Sequence, residues 1–381
     1  QKATPLILVL ILAATATFLS LRPKPPKLPE ISSPPAAAEA KPAPKTETAP
    51  APTDTPAVGK TDPRPWPQAA SDIPADPNAK FGTLPNGFRY IIYPNAEPPK
   101  RVSFRLHVSA GSLMEADDQQ GIAHFLEHMV FNGSKHYTSA DLIPRMQRLG
   151  IAFGAHANAY TSFDETVYML DLPDLTKDTV DLGFTVMRDF GDGALLEADE
   201  IDKERGVILS EKMSRDSVDD RIMEQQFLKI LPKSLVAKRF PIGTEEIIKA
   251  APRDRFADFY TRYYTPERMT FVVVGDVDPA EIAKRIETEF SSMVNPAAPG
   301  KDPDLGPIIA PEGIEPSVFA DKEMASTSVS LSLIRPFVKK PDTTGNRADK
   351  IPLELAHSML SRRFERISKQ ENSPISDGSA A

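Results

Sequence analysis

His124 and His128 stand four residues apart with Glu127 beside the second, in the segment His124-Phe125-Leu126-Glu127-His128. No other feature constrains the fold of this chain as strongly. Four residues span about one helical turn, so a helix here sets both imidazoles on one face with a carboxylate next to them. The apolar spacing from Gln119 to Phe131 predicts that helix. Two ligands from one helix hold a metal incompletely, so a second element must bring a third to the same point. The chain has no cysteine, which excludes disulfides, iron–sulfur clusters, thiolate zinc sites and cysteine nucleophiles. A metal must therefore rest on His, Asp or Glu. The competing reading is a pair of surface histidines on an amphipathic helix.

The order HxxEH is the inversion of the HExxH zinc-peptidase motif. Zinc peptidase chemistry needs two or three protein ligands, an open position for water, and a carboxylate that takes the water's proton and passes it to the leaving amine. A third ligand should come from another element, and Glu204 is the candidate. In the helix predicted from Glu197 to Arg215, Glu197, Glu204 and Glu211 recur every seven residues and share a face. A solvated helix face would carry the same row.

The rest of the chain divides by composition. Residues 6–21 form an uncharged, mostly apolar run preceded by Lys2, close to the lower limit of about 17 residues for a spanning helix. The run reads as an export signal, with Ala14-Thr15-Ala16 as a small-residue cleavage site, or as a short membrane anchor. Residues 22–79 are rich in Pro, Ala, Lys, Glu and Thr and cannot bury enough apolar surface to order themselves, so they read as a linker. Trp66 is positioned to pin its end to the domain that follows. With Lys+Arg 45 against Asp+Glu 53 and no basic stretch interleaved with aromatics, nucleic-acid binding is excluded.

From Lys80 onward the pattern is globular. Strands are expected after the Asn86-Gly87 turn, from Arg101 to Ala110, Phe153 to Tyr160, Thr166 to Leu172 and Arg268 to Asp276. Helices are expected over Ser139 to Leu149, Asp174 to Phe190 and Asp278 to Phe290. Hairpin strands beside grouped helices predict an α+β fold, a mixed and largely antiparallel sheet packed on helices, over residues 80–300. After a Pro/Gly-rich connector the pattern restarts. Strands within 317–336 and a helix from Lys350 to Gln370 predict the start of a second, incomplete domain over 301–381.

In the segments GSLMEADDQQGIAHFLEHMVFNGSKHY, NAYTSFDETVYML, ERGVILSEKM and YYTPERMTFVVVGDVD the chain resembles the insulinase/pitrilysin family of zinc metallopeptidases, also called inverzincins. The likeness runs from about Phe81 to the C-terminus. The family pattern places a glutamate about 76 residues after the second histidine, and Glu204 lies 76 residues after His128. The resemblance implies His124, His128 and Glu204 as ligands of one Zn2+ per chain. It implies Glu127 as the general base and Glu197 as a carboxylate behind the ligands that orients one of them. It also implies a strand edge that receives substrate, with Asn158 and Ala159 as binding residues. His107 alternates within a strand, His136 and His357 lack partners at metal spacing, and all three read as structural, while His156 lies close to the substrate strand without being a ligand.

The implied activity is an exported, periplasmic or envelope endopeptidase acting on extended or unfolded peptides. Family members usually carry a second homologous domain, and often a further half that completes the site. The chain ends before that region and is expected to be a fragment needing the missing half or a partner subunit. A non-catalytic peptide-binding or scaffold subunit of the same fold is the main alternative. A membrane-anchored, Pro-rich adaptor is the third reading.

Overall fold

The computed structural model describes residues 65–309, 311–334 and 338–381. The expected export or anchor segment at 6–21 and the linker as far as residue 64 lie outside them. Among the described residues no helix is long and apolar enough to cross a membrane.

Six strands, β1 (Lys80–Thr83), β2 (Arg89–Pro94), β3 (Val102–Val108), β4 (Ala157–Thr161), β5 (Thr166–Leu172) and β6 (Met269–Gly275), form one sheet in the order β1-β2-β6-β3-β5-β4. Only β2 and β6 pair in parallel, and every other neighbour is antiparallel. The mixed, largely antiparallel sheet anticipated from the hairpin pattern is therefore present. Ten helices accompany it among the described residues: α1 (Ile122–Met129), α2 (Ser139–Arg148), α3 (Lys177–Asp192), α4 (Ala198–Ser214), α5 (Val218–Ile230), α6 (Glu245–Ala250), α7 (Arg253–Tyr263), α8 (Pro279–Phe290), α9 (Thr344–Ala348) and α10 (Ile351–Ser368).

Period-two alternation decides which face of the sheet is covered. In β3, Val102, Phe104, Leu106 and Val108 are buried and the residues between them are half-buried, and β6 repeats the pattern. The buried face receives α3 and α8: the Phe104 ring meets Phe184 of α3 at 5.1 Å and Phe271 of β6 at 5.2 Å, and Phe271 meets Phe290 of α8 at 5.4 Å. Burying each of these rings contributes roughly 1.5–3 kcal/mol. Trp66 packs on the domain as expected, with the Arg89 guanidinium 3.5 Å from its ring centroid and Phe81 edge-on at 5.0 Å, so the described part of the segment expected to be linker is held against the sheet rather than free of it.

Two expectations need correction. The strand predicted from Phe153 begins only at Ala157, because residues 152–156 close a turn in which His156 N–H donates to Ala152 O and Gly154 takes a positive φ of 85°. The strands expected within 317–336 do not form among residues 311–334, where no neighbouring strand pairs with the segment and Leu331 and Leu333 stay exposed. The helix expected from Lys350 is α10.

Candidate metal centre

Helix α1 is buried nearly all round. Ile122, Ala123, Phe125, Leu126 and Met129 are buried, and Phe125 packs edge-on against Phe256 of α7 at 4.8 Å. A helix of this kind belongs in the interior rather than on an amphipathic surface. That burial takes His124 and Glu127 with it, at 4% and 8% exposure. Residues 112–121 set where α1 begins. The buried Glu115 carboxylate accepts from the Gly121 and Ala123 N–H groups at 3.0 and 2.8 Å, so two of the unpaired donors at the helix start are satisfied. Burial pushes the Glu115 carboxyl up to about 8, against those two bonds and the nearby Arg239 guanidinium.

Helix α4 lies against α1. Its buried Ile201 and Ile208 mark the inward stripe, and Glu204 and Glu211 each follow one of them by three residues on the same side. Glu211 Oε2 lies 3.4 Å from His128 Nε2 and 3.6 Å from His124 Nε2. These separations are long for hydrogen bonds and match the edge of a tetrahedron, about 3.3–3.6 Å for ligands about 2.0–2.2 Å from a central zinc. The three ligand atoms lie within 4.8 Å of one another. Two imidazole nitrogens and one carboxylate oxygen at this spacing are a zinc donor set, so the residues present fit the ion.

Glu204 does not occupy the ligand position expected of it. Its Oε1 accepts from His128 Nδ1 at 2.8 Å and its Oε2 from Asn132 Nδ2 at 2.8 Å, which places it on the side of the ring opposite Nε2. The geometry offers Glu211 in its place. Glu197, expected just behind the ligands, instead precedes α4 as its exposed N-cap residue, about 10 Å of helix rise before Glu204. The whole glutamate row is thus displaced by two turns: Glu204 stands where Glu197 was expected, and Glu211 where Glu204 was. Arg215, one turn beyond, pairs with the other oxygen of Glu211.

Electrostatics bind the cluster together. The facing His124 and His128 imidazoles hold the Glu211 carboxyl well below the usual carboxylate range, against its burial. Burial alone would lower the His128 imidazole, but its bond to Glu204 and the facing Glu211 carboxylate outweigh that and raise it to about 9. Burial likewise opposes ionisation of Glu204, and donation from His128 and Asn132 overcomes it and holds that carboxyl low.

Glu127, on the same helix as the two histidines, reaches β4, where its Oε2 accepts from the Thr161 hydroxyl at 2.7 Å. Thr161 ends the strand that carries Asn158 and Ala159. β4 is an outer strand of the sheet, paired on one side with β5. Asn158 is exposed, and its Oδ1 accepts from the Ala159 N–H at 2.9 Å. Three of the remaining described histidines have partners of their own: His107 meets Glu165 at 3.0 Å, His136 meets the buried Asp189 at 2.7 Å, and His156 Nδ1 accepts from Ala152 N–H; the fourth, His357, lies on α10. Thr161, Asn132 and Glu115 escaped the sequence reading. The i, i+4 interval from His128 to Asn132 was a visible signal for the second.

Residues 90–235 match the family model for insulinase, peptidase family M16, and residues 250–374 match the model for the peptidase M16 inactive domain. Among curated relatives, the chain is 33% identical over 311 residues to a probable zinc protease, PqqL, of Escherichia coli strain K12. That match covers 82% of this chain and 33% of the relative. The crystal structure of the first half of the periplasmic protease PqqL from Escherichia coli superposes with a TM-score of 0.71 at 31% identity, over 81% of this chain and 66% of that one. The ferredoxin protease FusC, solved as a mutant in complex with Arabidopsis ferredoxin, gives a TM-score of 0.56 at 33% identity, over 59% of this chain and 25% of that one. The chain spans a third or less of the length of the first curated relatives it matches.

Proposed function

The chain belongs to the insulinase family of peptidases, family M16, and from that premise we propose that it carries the zinc-binding centre of a metalloendopeptidase acting on extended or unfolded peptides. One observation carries the reading: Glu211 Oε2 stands at tetrahedral spacing from both Nε2 atoms of the HxxEH helix, with Glu127 on the same helix.

His124, His128 and Glu211 would hold one Zn2+ per chain. Zinc held by three protein groups supplies Lewis-acid polarisation and lowers the pKa of a water in its open position to about 7. The chain's own residues supply the proton transfers. With Oε2 of Glu127 engaged by Thr161, Oε1 is the oxygen left to take a proton from the attacking water and return it to the leaving amine. Glu204 fixes the tautomer of His128, since accepting from Nδ1 leaves Nε2 free as the ligand atom.

Substrate would add as a strand along the outer edge of β4, past Asn158 and Ala159, with the Asn158 side chain giving up the Ala159 N–H. Main-chain pairing of this kind reads extended shape more than sequence. Because Thr161 ends that strand and touches Glu127, a peptide paired along β4 is delivered toward the base. A second homologous half or a partner subunit would close over the peptide. Residues 6–21 would serve to export the protein to the periplasm.

The test uses a quenched, extended peptide of about twenty residues, with and without chelator, alongside Glu127→Gln. Hydrolysis that stops with chelator, and is lost in Glu127→Gln while zinc content stays at one per chain, is the expected result. Turnover by Glu127→Gln at the wild-type rate would remove Glu127 as the base.

A further inference from the structure

Asn132 has no place in the proton transfers, yet it makes one of the best-defined contacts in the centre. Its backbone N–H donates to Met129 O at 3.0 Å, so it extends the last turn of α1, and it follows His128 by four residues. The two side chains therefore lie on one face of the helix end. Both reach the same carboxylate. His128 Nδ1 meets Glu204 Oε1 at 2.8 Å and Asn132 Nδ2 donates to Glu204 Oε2 at 2.8 Å.

We infer that Asn132 is a positioning residue of the metal centre, whose side-chain amide locks the carboxylate plane of Glu204 and, through it, the ring orientation of His128. A carboxylate held by one hydrogen bond can still turn about its terminal bond. A second donor on the other oxygen fixes the plane, and with the plane fixed the Nδ1–H of His128 has one direction in which to point. The Nε2 lone pair is then aimed at the point it shares with Glu211, without a search among ring orientations. The position requires a donor of this length. Aspartate would set two acceptors against each other, and leucine or alanine would leave the half-buried Oε2 without its partner. The Asn132 side chain donates to Glu204, so its effect on the metal passes through that carboxylate.

This inference rests on the zinc reading above and is tested by metal binding, independently of hydrolysis. Zinc affinity of the full chain is measured by competition with a chromophoric chelator for wild type, Asn132→Ala, Glu204→Ala and the double variant, with the visible spectrum of each Co2+-loaded protein. Asn132→Ala should weaken zinc binding by about tenfold, the lower end of what outer partners of metal ligands contribute, and should shift the Co2+ bands. In the Glu204→Ala background the same substitution should change affinity by less than about twofold, because its route to the metal is gone. Asn132→Asp, similar in size but without the donor, should weaken binding more than Asn132→Ala, and it carries the test if the alanine variant fails to fold. Wild-type affinity in both Asn132 variants would overturn the inference and leave the zinc reading standing. So would an equal loss with and without Glu204. A wild-type chain that binds no zinc overturns the zinc reading itself, and this inference with it.

Discussion

Glu204 and Glu211 lie two turns apart on α4 and address opposite nitrogens of one imidazole. Glu204 Oε1 accepts from Nδ1–H of His128 at 2.8 Å, while Glu211 Oε2 faces Nε2 at 3.4 Å. The two carboxylates are therefore not interchangeable. Glu204→Ala should lower zinc affinity by about 10–100-fold, the range for an outer partner. Glu211→Ala removes a ligand atom and should cost more, leaving little metal after dialysis against a weak chelator. Zinc content of the two variants side by side checks this, and fuller retention in Glu211→Ala than in Glu204→Ala would reverse the two roles.

Zinc binding should also depend steeply on pH. In the metal-free protein His128 is raised to about 9, above its unfolded value of about 6.5. Its protonated form therefore stabilises the metal-free fold fully below about pH 6.5, and that contribution is lost as pH rises through about 9. Zinc must displace this proton, so its apparent affinity should climb about tenfold per pH unit across the same window and level off above it. Chelator competition at several pH values measures the slope. A flat profile between about pH 6.5 and 9 would mean that His128 is already neutral before the metal arrives.

How far the sequence reaches into this centre follows from what spacing encodes. The i, i+4 interval of His124 and His128 is a property of one helix, and it survives folding unchanged. So does the seven-residue row of Glu197, Glu204 and Glu211, but a row on one face has no origin. Which glutamate meets the histidines depends on the lengths of every loop between α1 and α4, and counting 76 residues from His128 reaches Glu204, one step along α4 before the glutamate that faces both Nε2 atoms. The strands of the sheet were legible because Val102–Val108 and Met269–Gly275 alternate against a covered face. The strands expected within 317–336 were not realised among the described residues there, since alternation marks a segment able to pair but does not supply the neighbour. Contacts such as Thr161 with Glu127 join elements far apart in sequence and leave no local pattern.

Thr161 should matter to turnover more than to binding. Its hydroxyl holds Glu127 Oε2 at 2.7 Å, and Thr161→Val keeps the shape while removing the donor. The base then loses its fixed orientation, and misplacing a catalytic group slightly is costly. A fall in kcat of about tenfold is expected, with KM and zinc content unchanged, and Thr161→Ser should restore most of it. A change confined to KM would assign Thr161 to the substrate edge instead of the base.

The start of α1 offers a test of how rigidly the centre is held. Gly121 takes a φ of 102°, and a Cβ built there would come within 2.9 Å of Gly243 Cα, backbone against backbone. Its N–H also donates to Glu115, so moving it disturbs the anchor of the helix that carries His124 and His128. Gly154 provides the comparison, with a φ of 85° and open space around its Cβ position. Both alanine variants meet the left-handed conformation, worth about 1–3 kcal/mol. Only Gly121→Ala adds the backbone collision, and relief of that collision must shift the first turn of α1 or the loop around Gly243. Gly121→Ala should therefore lower the melting temperature more than Gly154→Ala and weaken zinc binding as well, while Gly154→Ala leaves zinc affinity at the wild-type value. Equal melting temperatures and equal zinc affinities for the two variants would show that α1 keeps its place without the contact between Gly121 and Gly243.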